Sequence, residues 1–343
     1  MIRYAIISSA VLGLSLAPLN TAKSEPPATY HITNILPVPG EGLWDYLTFD
    51  QSHRRLFVTR VGGVDVFDAS GSVLASAGSI PGGPGVLVNR AVPVESRDLG
   101  FTSNGPADST TLFRLSDLKV KGVFPLGEAT DAAVYDEETR HAVFFSAAGQ
   151  DALVFDPRSR TVIDHIPLGS APEFAVDDHE GTIYVNLPAT GKVARIDART
   201  DRVVAQYTVD PSCHANSSID IDQADHLLFV GCFSGELDVI NQRTGRTVST
   251  FPTGPLPDSV EYDPGTRTVF ASTVDGKITA VEVDSSIHQE LLQVATTQPG
   301  THSLTIDLRT HRIFTDTADA GPTGPDGLPF IIRGTFRVLT VAP

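Results

Sequence analysis

The sequence predicts an all-β protein, a seven-bladed β-propeller in which each blade is a four-stranded sheet. Two observations carry this prediction. One short pattern recurs along the chain: a strand that ends in an acidic residue, then a turn, then a second strand. The copies follow one another at intervals of 40 to 46 residues, and strands repeated at that spacing are typical of propeller blades.

The first strand of each repeat alternates apolar and polar residues and closes on Asp at the turn. The clear copies are Asp45–Asp50, Asp131–Asp136, Glu173–Asp178, Ser217–Asp222, Asp258–Asp263 and His302–Asp307. A degenerate copy, Gly85–Arg90, fills the long gap between the first two. We predict that the closing Asp residues form turns, because their side chains accept hydrogen bonds from nearby backbone N–H groups.

The remaining strands of each repeat follow in the same order. Second strands such as Arg55–Val58 come directly after the turn, and third strands such as Val64–Asp68 come next. The last repeat stops after its third strand, Phe336–Val341. Tyr30–Leu36 precedes the first repeat and has strand character, so we predict that it supplies the missing outer strand. This pairing closes the ring and leaves no long edge exposed.

The N-terminal residues predict export. Arg3 is followed by an apolar stretch, Ala5–Leu19, which has the length of a signal-peptide core and is short for a membrane span. Small residues at Ala22 and Ser24 place the cleavage near Ser24. We therefore expect a signal peptide over residues 1–24, one propeller domain over residues 25–343, and a periplasmic location. We expect a monomer with no membrane span.

The charge balance restricts the classes of partner. The chain of 343 residues has 41 acidic and 25 basic side chains, for a net charge of −16. Binding to nucleic-acid phosphates requires a basic surface, and so does docking on anionic lipid. The composition therefore disfavours both, and it favours small cationic or neutral ligands and metal ions.

Segments spread over nearly the whole mature chain resemble the repeats of a known family. They are Trp44–Leu47, Arg54–Val58, Phe101–Gly105, Pro172–Val176, Leu228–Cys232 and Gly334–Leu339. In these segments the chain resembles the periplasmic YncE-like proteins, which carry YVTN-type propeller repeats. The resemblance implies a periplasmic propeller. It does not fix a function, because such propellers serve as binding scaffolds, partner platforms and enzymes.

The repeat register predicts where a site would form. The starts of the inner strands should meet at one mouth of the central channel, one residue per blade: Asp45, Gly85, Asp131, Glu173, Ser217, Asp258 and His302. Ring closure makes Asp258, His302 and Asp45 neighbours, and we predict these three as catalytic or metal-binding residues. Further ligand-binding candidates are Asp131 and Glu173 with the second-strand residues Arg60, Asn104 and Asn186.

Two other interpretations of these polar residues remain open. The residues at the strand starts also fit a role in capping backbone groups and facing water. A shift of one residue would instead aim Ser218, Asp220, Ser259, Glu261, Ser303 and Thr305 into the channel.

Three functions are compatible with this pattern. The first is a binding or interaction propeller whose acidic mouth takes a small ligand or a metal ion. The second is a metal-assisted hydrolase or lyase, similar to propeller lactonases, that uses a Ca²⁺ or Mg²⁺ ion at the same mouth with His302 as general acid or base. The third is a platform for another envelope protein. No recognised catalytic motif is present in the sequence, so whether the protein is an enzyme stays open.

The two cysteines predict a disulfide. Cys213 and Cys232 are the only thiols, and an even number in an exported chain points to a bridge. The register places Cys213 before the fifth inner strand and Cys232 at the end of the following strand. Both residues should therefore lie at the mouth of the same blade.

Overall fold

Seven four-stranded antiparallel sheets make up the blades of a propeller, in a computed structural model that describes residues 29–40, 43–82, 87–323 and 329–343. The predicted fold class is therefore confirmed. The predicted signal peptide lies outside the described residues. Among the described residues, no helix has the length and apolar character needed to cross a bilayer.

The strands follow in chain order. The first is β1 (His31–Pro37). Blade 1 has β2 (Trp44–Asp50), β3 (Arg55–Arg60), β4 (Gly63–Asp68) and β5 (Ala75–Pro81). Blade 2 has β6 (Arg90–Val94), β7 (Leu99–Asn104), β8 (Ser109–Phe113) and β9 (Val120–Pro125). Blade 3 has β10 (Ala133–Asp136), β11 (His141–Ser146), β12 (Asp151–Asp156) and β13 (Thr161–Pro167). Blade 4 has β14 (Ala175–Asp177), β15 (Thr182–Leu187), β16 (Lys192–Asp197) and β17 (Arg202–Thr208).

Blade 5 has β18 (Asn216–Asp222), β19 (Leu227–Cys232), β20 (Glu236–Asn241) and β21 (Arg246–Pro252). Blade 6 has β22 (Pro257–Asp263), β23 (Thr268–Thr273), β24 (Lys277–Ser285) and β25 (His288–Thr296). Blade 7 has β26 (Leu304–Asp307), β27 (Arg312–Thr317) and β30 (Arg337–Ala342). Between β27 and β30 lies a short hairpin of β28 (Ala320–Thr323) and β29 (Pro329–Ile331). The described residues also include three single-turn 3-10 helices, Glu95–Arg97, Gly105–Ala107 and Pro188–Thr190.

The N-terminal strand closes the ring. β1 pairs antiparallel with β30, from His31 opposite Ala342 to Pro37 opposite Arg337. Blade 7 therefore has the order β26, β27, β30, β1, in which the outermost strand comes from the start of the described chain. The sequence-based prediction for Tyr30–Leu36 is confirmed.

The closing Asp residues form the turns after the inner strands. The Asp50 carboxylate accepts backbone hydrogen bonds from Ser52 and His53, each at 3.1 Å. Asp222 accepts equivalent bonds from Ala224 and Asp225. The same role is filled by Asp136, Asp178, Asp263 and Asp307. These acids therefore lie at the face opposite the mouth, as the sequence predicts.

Blade 2 departs from the predicted register. Val94 pairs with Leu99 there in the way that Asp50 pairs with Arg55 in blade 1. The mouth position, five residues before this pair, therefore belongs to Asn89 and not to Gly85, which lies outside the described residues. The prediction was wrong by four residues because this inner strand contains Pro93 and ends in Val94, so it lacks the closing Asp.

Hydrogen bonds between neighbouring inner strands join blades 5, 6, 7 and 1. The Ser218 hydroxyl donates to the Pro257 carbonyl at 2.9 Å, and the Ser259 hydroxyl donates to the Leu304 carbonyl at 3.1 Å. At the closure the Leu47 N–H donates to the Ser303 hydroxyl at 2.8 Å. The hydroxyl groups of these three serines thus bond to the neighbouring blade. The shifted register, which placed Ser218, Ser259 and Ser303 in the channel, does not apply to them.

Candidate ligand-binding site at the channel mouth

Six described residues from six blades occupy the mouth positions of the register. Blades 1 to 4 supply Asp45, Asn89, Asp131 and Glu173, and blades 5 and 6 supply Ser217 and Asp258. The Asn89 amide donates to the Asp45 carboxylate at 2.8 Å, and the Ser217 hydroxyl donates to Asp258 at 3.3 Å. These bonds join residues of adjacent blades around one opening.

The carboxylates of the mouth repel one another. Burial and the charge of Asp258 raise the pKa of Asp131 to about 6, against the lowering effects of Asn89 and Arg90. Burial, Asp131 and Asp258 together raise the pKa of Glu173 to about 7. Burial raises the pKa of Asp45 well above its usual value, with a further contribution from Asp131. The mouth therefore concentrates negative charge that a bound cation would stabilise.

His302 completes the mouth in blade 7. Its Nδ1 lies 3.6 Å from the Asp258 carboxylate, and its ring centroid is 6.2 Å from that of Trp44. Beneath it, Asp316 is fully buried and accepts a hydrogen bond from the Ser303 N–H at 3.2 Å. Burial raises the pKa of Asp316 to about 6, against the lowering effect of His302. The structure thus places His302 beside Asp258, and the charges of Asp258 and Asp316 act on Asp45.

A cluster of two rings and a guanidinium lies below the mouth carboxylates. The rings of Tyr46 in blade 1 and Phe174 in blade 4 meet edge to face, with their centroids 4.3 Å apart. The Arg90 guanidinium of blade 2 lies 4.9 Å from the Tyr46 ring and 5.7 Å from the Phe174 ring. Blades 1 and 4 are three steps apart in the ring, so these side chains meet across the channel. We call Tyr46, Phe174 and Arg90 the channel plug.

A second acidic pair lies on the other side of the plug. Asp220 and Glu261 come from the inner strands of blades 5 and 6, three residues beyond the mouth positions. Burial raises the pKa of Glu261 well above its usual value and that of Asp220 to about 6. Both residues line an open pocket of about 450 Å³ at the turn face. They belong to the alternative inward-facing set of the sequence, so the channel holds these two acids of that set at a different depth from the mouth residues.

Two of the predicted ligand-binding residues, Asn104 and Asn186, form hydrogen bonds inside the protein. Asn104 is buried and donates to the Thr111 hydroxyl at 3.0 Å within its own blade. Asn186 is also buried, donates to the Ser217 carbonyl at 2.7 Å and accepts from Asn216 at 2.8 Å. Because these hydrogen bonds occupy the side-chain amides, neither residue is part of the candidate site.

Arg60 does not reach the mouth carboxylates. Its guanidinium carbon lies 4.4 Å from the centroid of the Phe336 ring, and its closest carboxylate is that of Asp65 at 3.7 Å. Burial lowers the pKa of Arg60 and raises the pKa of Asp65. Arg60 was predicted as a ligand-binding residue of the mouth, and this placement is corrected because its side chain lies beside Asp65 and Phe336. The cationic side chain that acts on Asp131 is Arg90.

The predicted disulfide is present. Cys213 and Cys232 are bonded, with their Cα atoms 5.1 Å apart. Cys232 ends β19 and lies opposite Asn216, next to the mouth residue Ser217. The bond therefore fixes the approach to the inner strand of blade 5.

Metal-ligand spacing occurs elsewhere in the described chain. The ligand atoms of Glu128, Asp151 and His165 in blade 3 lie within 4.8 Å of one another. Among the described residues, the predicted set of Asp45, Asp258 and His302 does not form such a group. A role of these three in binding a Ca²⁺ or Mg²⁺ ion stays a prediction.

These features define the class of protein: a seven-bladed β-propeller with an acidic channel mouth above an aromatic plug. No protein-family model and no curated protein matches the chain. Among solved structures it is similar to the WD40 repeats of RRP9, with a TM-score of 0.75, 10% identity, and coverage of 92% of this chain and 100% of that one. It is also similar to a chain of a mitotic checkpoint complex, with a TM-score of 0.74, 12% identity and coverage of 98% and 99%. A third match, U3-55K, has a TM-score of 0.74, 10% identity and coverage of 91% and 99%. At such low identity these likenesses show the fold alone.

Proposed function

We propose that this protein is a binding propeller whose channel mouth takes a small organic cation. The observation that supports this function is the convergence of Asp45, Asp131, Glu173 and Asp258 from four blades. Among the described residues, none of the salt bridges joins these four to a Lys or Arg. A cluster of four carboxylates with no Lys or Arg at ion-pair distance favours a cation supplied by the ligand.

An organic cation suits the mouth better than a chelated metal ion. The mouth carboxylates come from separate blades, and those residues do not bring three ligand atoms within 4.8 Å of one another in the described part of the chain. An ammonium group can bind carboxylates at longer distances and in a less regular arrangement than a divalent metal ion can.

Binding should depend on pH in a defined direction. The pKa of Asp131 is about 6 and that of Glu173 is about 7, so both carry most of their charge at pH 8 and lose most of it at pH 5. A cation bound by these carboxylates should therefore bind most tightly above pH 7 and weaken as the pH falls through 7 and 6. Calorimetric titration with a series of amines and diamines at pH 8, 6.5 and 5 measures this.

Variants of the mouth test the location of binding. Replacing Asp131 and Asp258 together by Asn should weaken amine binding at pH 8 by about tenfold or more, because two charges are lost. Glu261→Gln is the matched control, since it removes a carboxylate on the far side of the plug. Parallel titrations with Ca²⁺ and Mg²⁺ test the metal alternative. Full amine affinity in the double variant, or no amine binding at pH 8, would contradict the proposal.

We also propose that the protein is exported and acts in the periplasm, as the resemblance to YncE-like proteins implies. The Cys213–Cys232 bond supports this, because disulfides persist in oxidising compartments. Fractionation of cells that express the whole chain should place it in the periplasm without residues 1–24. A cytoplasmic chain that keeps its N-terminus would contradict the proposal.

A further inference from the structure

Arg60 is a buried guanidinium without a hydrogen bond. The residue is 6% exposed, and its Nε and Nη1 atoms are buried with no hydrogen-bond partner among the described residues. The Asp65 carboxylate lies 3.7 Å from Nη1, which is an ion-pair distance and too long for a hydrogen bond. Buried polar groups in folded proteins are usually hydrogen-bonded, and arginine carries five N–H donors. The donors of Arg60 therefore lack acceptors.

An open pocket lies beside this guanidinium. It has a volume of about 400 Å³ and is lined by Arg60 together with Gly40, Gly62, Asp65 and Ile80. Pockets that hold small ligands have volumes of a few hundred Å³. A methyl group at Gly62 would contact nothing within 4 Å, and one at Gly40 would lie 3.4 Å from Nη2. The two glycines thus leave room next to the guanidinium.

An aromatic ring outside the pocket lining holds the guanidinium in place. The Arg60 guanidinium lies against the Phe336 ring, and the centroid of that ring is 4.5 Å from that of Trp44. Stacking of this kind fixes the plane of a guanidinium while its N–H edge stays free to bond. A planar edge with parallel N–H groups matches the two oxygens of a carboxylate or a phosphate group.

We infer that the pocket beside Arg60 binds a small oxyanion, a carboxylate or a phosphate group, through the free N–H groups of the guanidinium. This site is separate from the acidic mouth and takes a ligand group of the opposite charge. Asp65 opposes the anion, since its carboxylate lines the same pocket. Its side chain is 42% exposed, so it can turn towards water when an anion enters.

The test uses the fluorescence of Trp44, the single tryptophan of the chain. The whole mature protein is titrated with acetate and with inorganic phosphate at constant ionic strength set with chloride. A saturable change is expected with at least one of the two anions. Saturation by phosphate but not acetate identifies a phosphate site, and the reverse identifies a carboxylate site.

Four variants decide the role of Arg60. Arg60→Gln should abolish the saturable change, and Arg60→Lys should weaken binding by about tenfold because the paired donors are lost. Asp65→Asn should tighten binding by about threefold or more, since it removes the repulsion. Arg202→Gln, at an exposed position of β17, is the matched control and should bind as the unaltered protein does.

The inference is overturned if neither anion saturates, if Arg60→Gln binds as tightly as the unaltered protein, or if Asp65→Asn binds no more tightly. Should the Arg60 variants fail to fold, the Asp65→Asn titration decides alone, because that side chain is partly exposed and forms no hydrogen bond to lose.

Discussion

Asn89 connects the mouth residues of neighbouring blades through its side-chain amide. Its side-chain Nδ2 donates to the Asp45 carboxylate at 2.8 Å, and its side-chain Oδ1 accepts from the Gly105 N–H at 3.2 Å. Hydrogen bonding to Asn89 lowers the pKa of both Asp45 and Asp131, against the larger raising effect of burial. A neutral donor between two carboxylates therefore allows both to approach the same opening.

Asn89→Asp should destabilise the protein, and more so at alkaline pH. The change removes the donor to Asp45 and adds a further carboxylate. We expect a loss of about 1–3 kcal/mol at pH 8, the usual cost of an unsatisfied buried polar group. The pKa values of Asp45 and Asp131 are raised, so the repulsion is present above them and disappears as the pH falls to 4. Urea denaturation at pH 8 and pH 4 measures the difference; an equal loss at both would contradict the repulsion.

At the scale of strands, the inner strands show what the sequence could predict. Six of them end in an Asp whose carboxylate forms the following turn, so their register was readable from one residue type. Blade 2 replaces that Asp with Val94, and the missing marker shifted the predicted mouth position from Asn89 to Gly85. The register of an inner strand could therefore be predicted where an Asp forms the turn that ends it. Asn89 was missed because only the pairing of β6 with β7 fixes its position, and no residue type in the sequence marks it.

The disulfide stabilises one blade through the unfolded state. Cys213 and Cys232 are 19 residues apart, so the bond closes a short loop in the unfolded chain. Replacing both by Ser should cost about 3 kcal/mol in the chain-entropy account of such loops. Urea denaturation of the double variant and of the unaltered protein, each with and without a reducing agent, measures it. A reductant should shift the midpoint of the unaltered protein only; identical midpoints in all four samples would rule the stabilisation out.

At the scale of the whole molecule, the plug divides the channel into two acidic compartments. Asp45, Asp131, Glu173 and Asp258 lie on one side, and Asp220 and Glu261 lie on the other. Arg90 lies between them, and its charge lowers the pKa of Asp131, Asp220 and Glu261. The sequence could not predict this arrangement, because the contact of Tyr46 with Phe174 depends on the width of the ring. Neighbouring blades can be inferred from repeat order, whereas contacts across the axis cannot.

Phe174→Ala should open the plug. Removing the ring leaves Tyr46 and Arg90 without their partner, and we expect a loss of about 3–5 kcal/mol, as for other buried Phe side chains. Phe233→Ala is the matched control, because Phe233 is 37% exposed and its removal should change stability by less than about 1 kcal/mol. Thermal and urea unfolding measure both. Equal effects of the two changes would show that Phe174 packs no better than a surface ring.

The closure of the ring also sets an order of events during folding. β1 is synthesised first, yet its partner β30 is synthesised last, with His31 opposite Ala342. Contacts so distant in sequence form slowly, because the intervening chain must first be arranged. Until then β1 carries unpaired N–H and C=O groups that another chain can bind. A chain that stops before residue 337 would leave β1 without a partner and β27 paired with β26 alone. A defect at the C-terminal end would therefore expose the N-terminal strand.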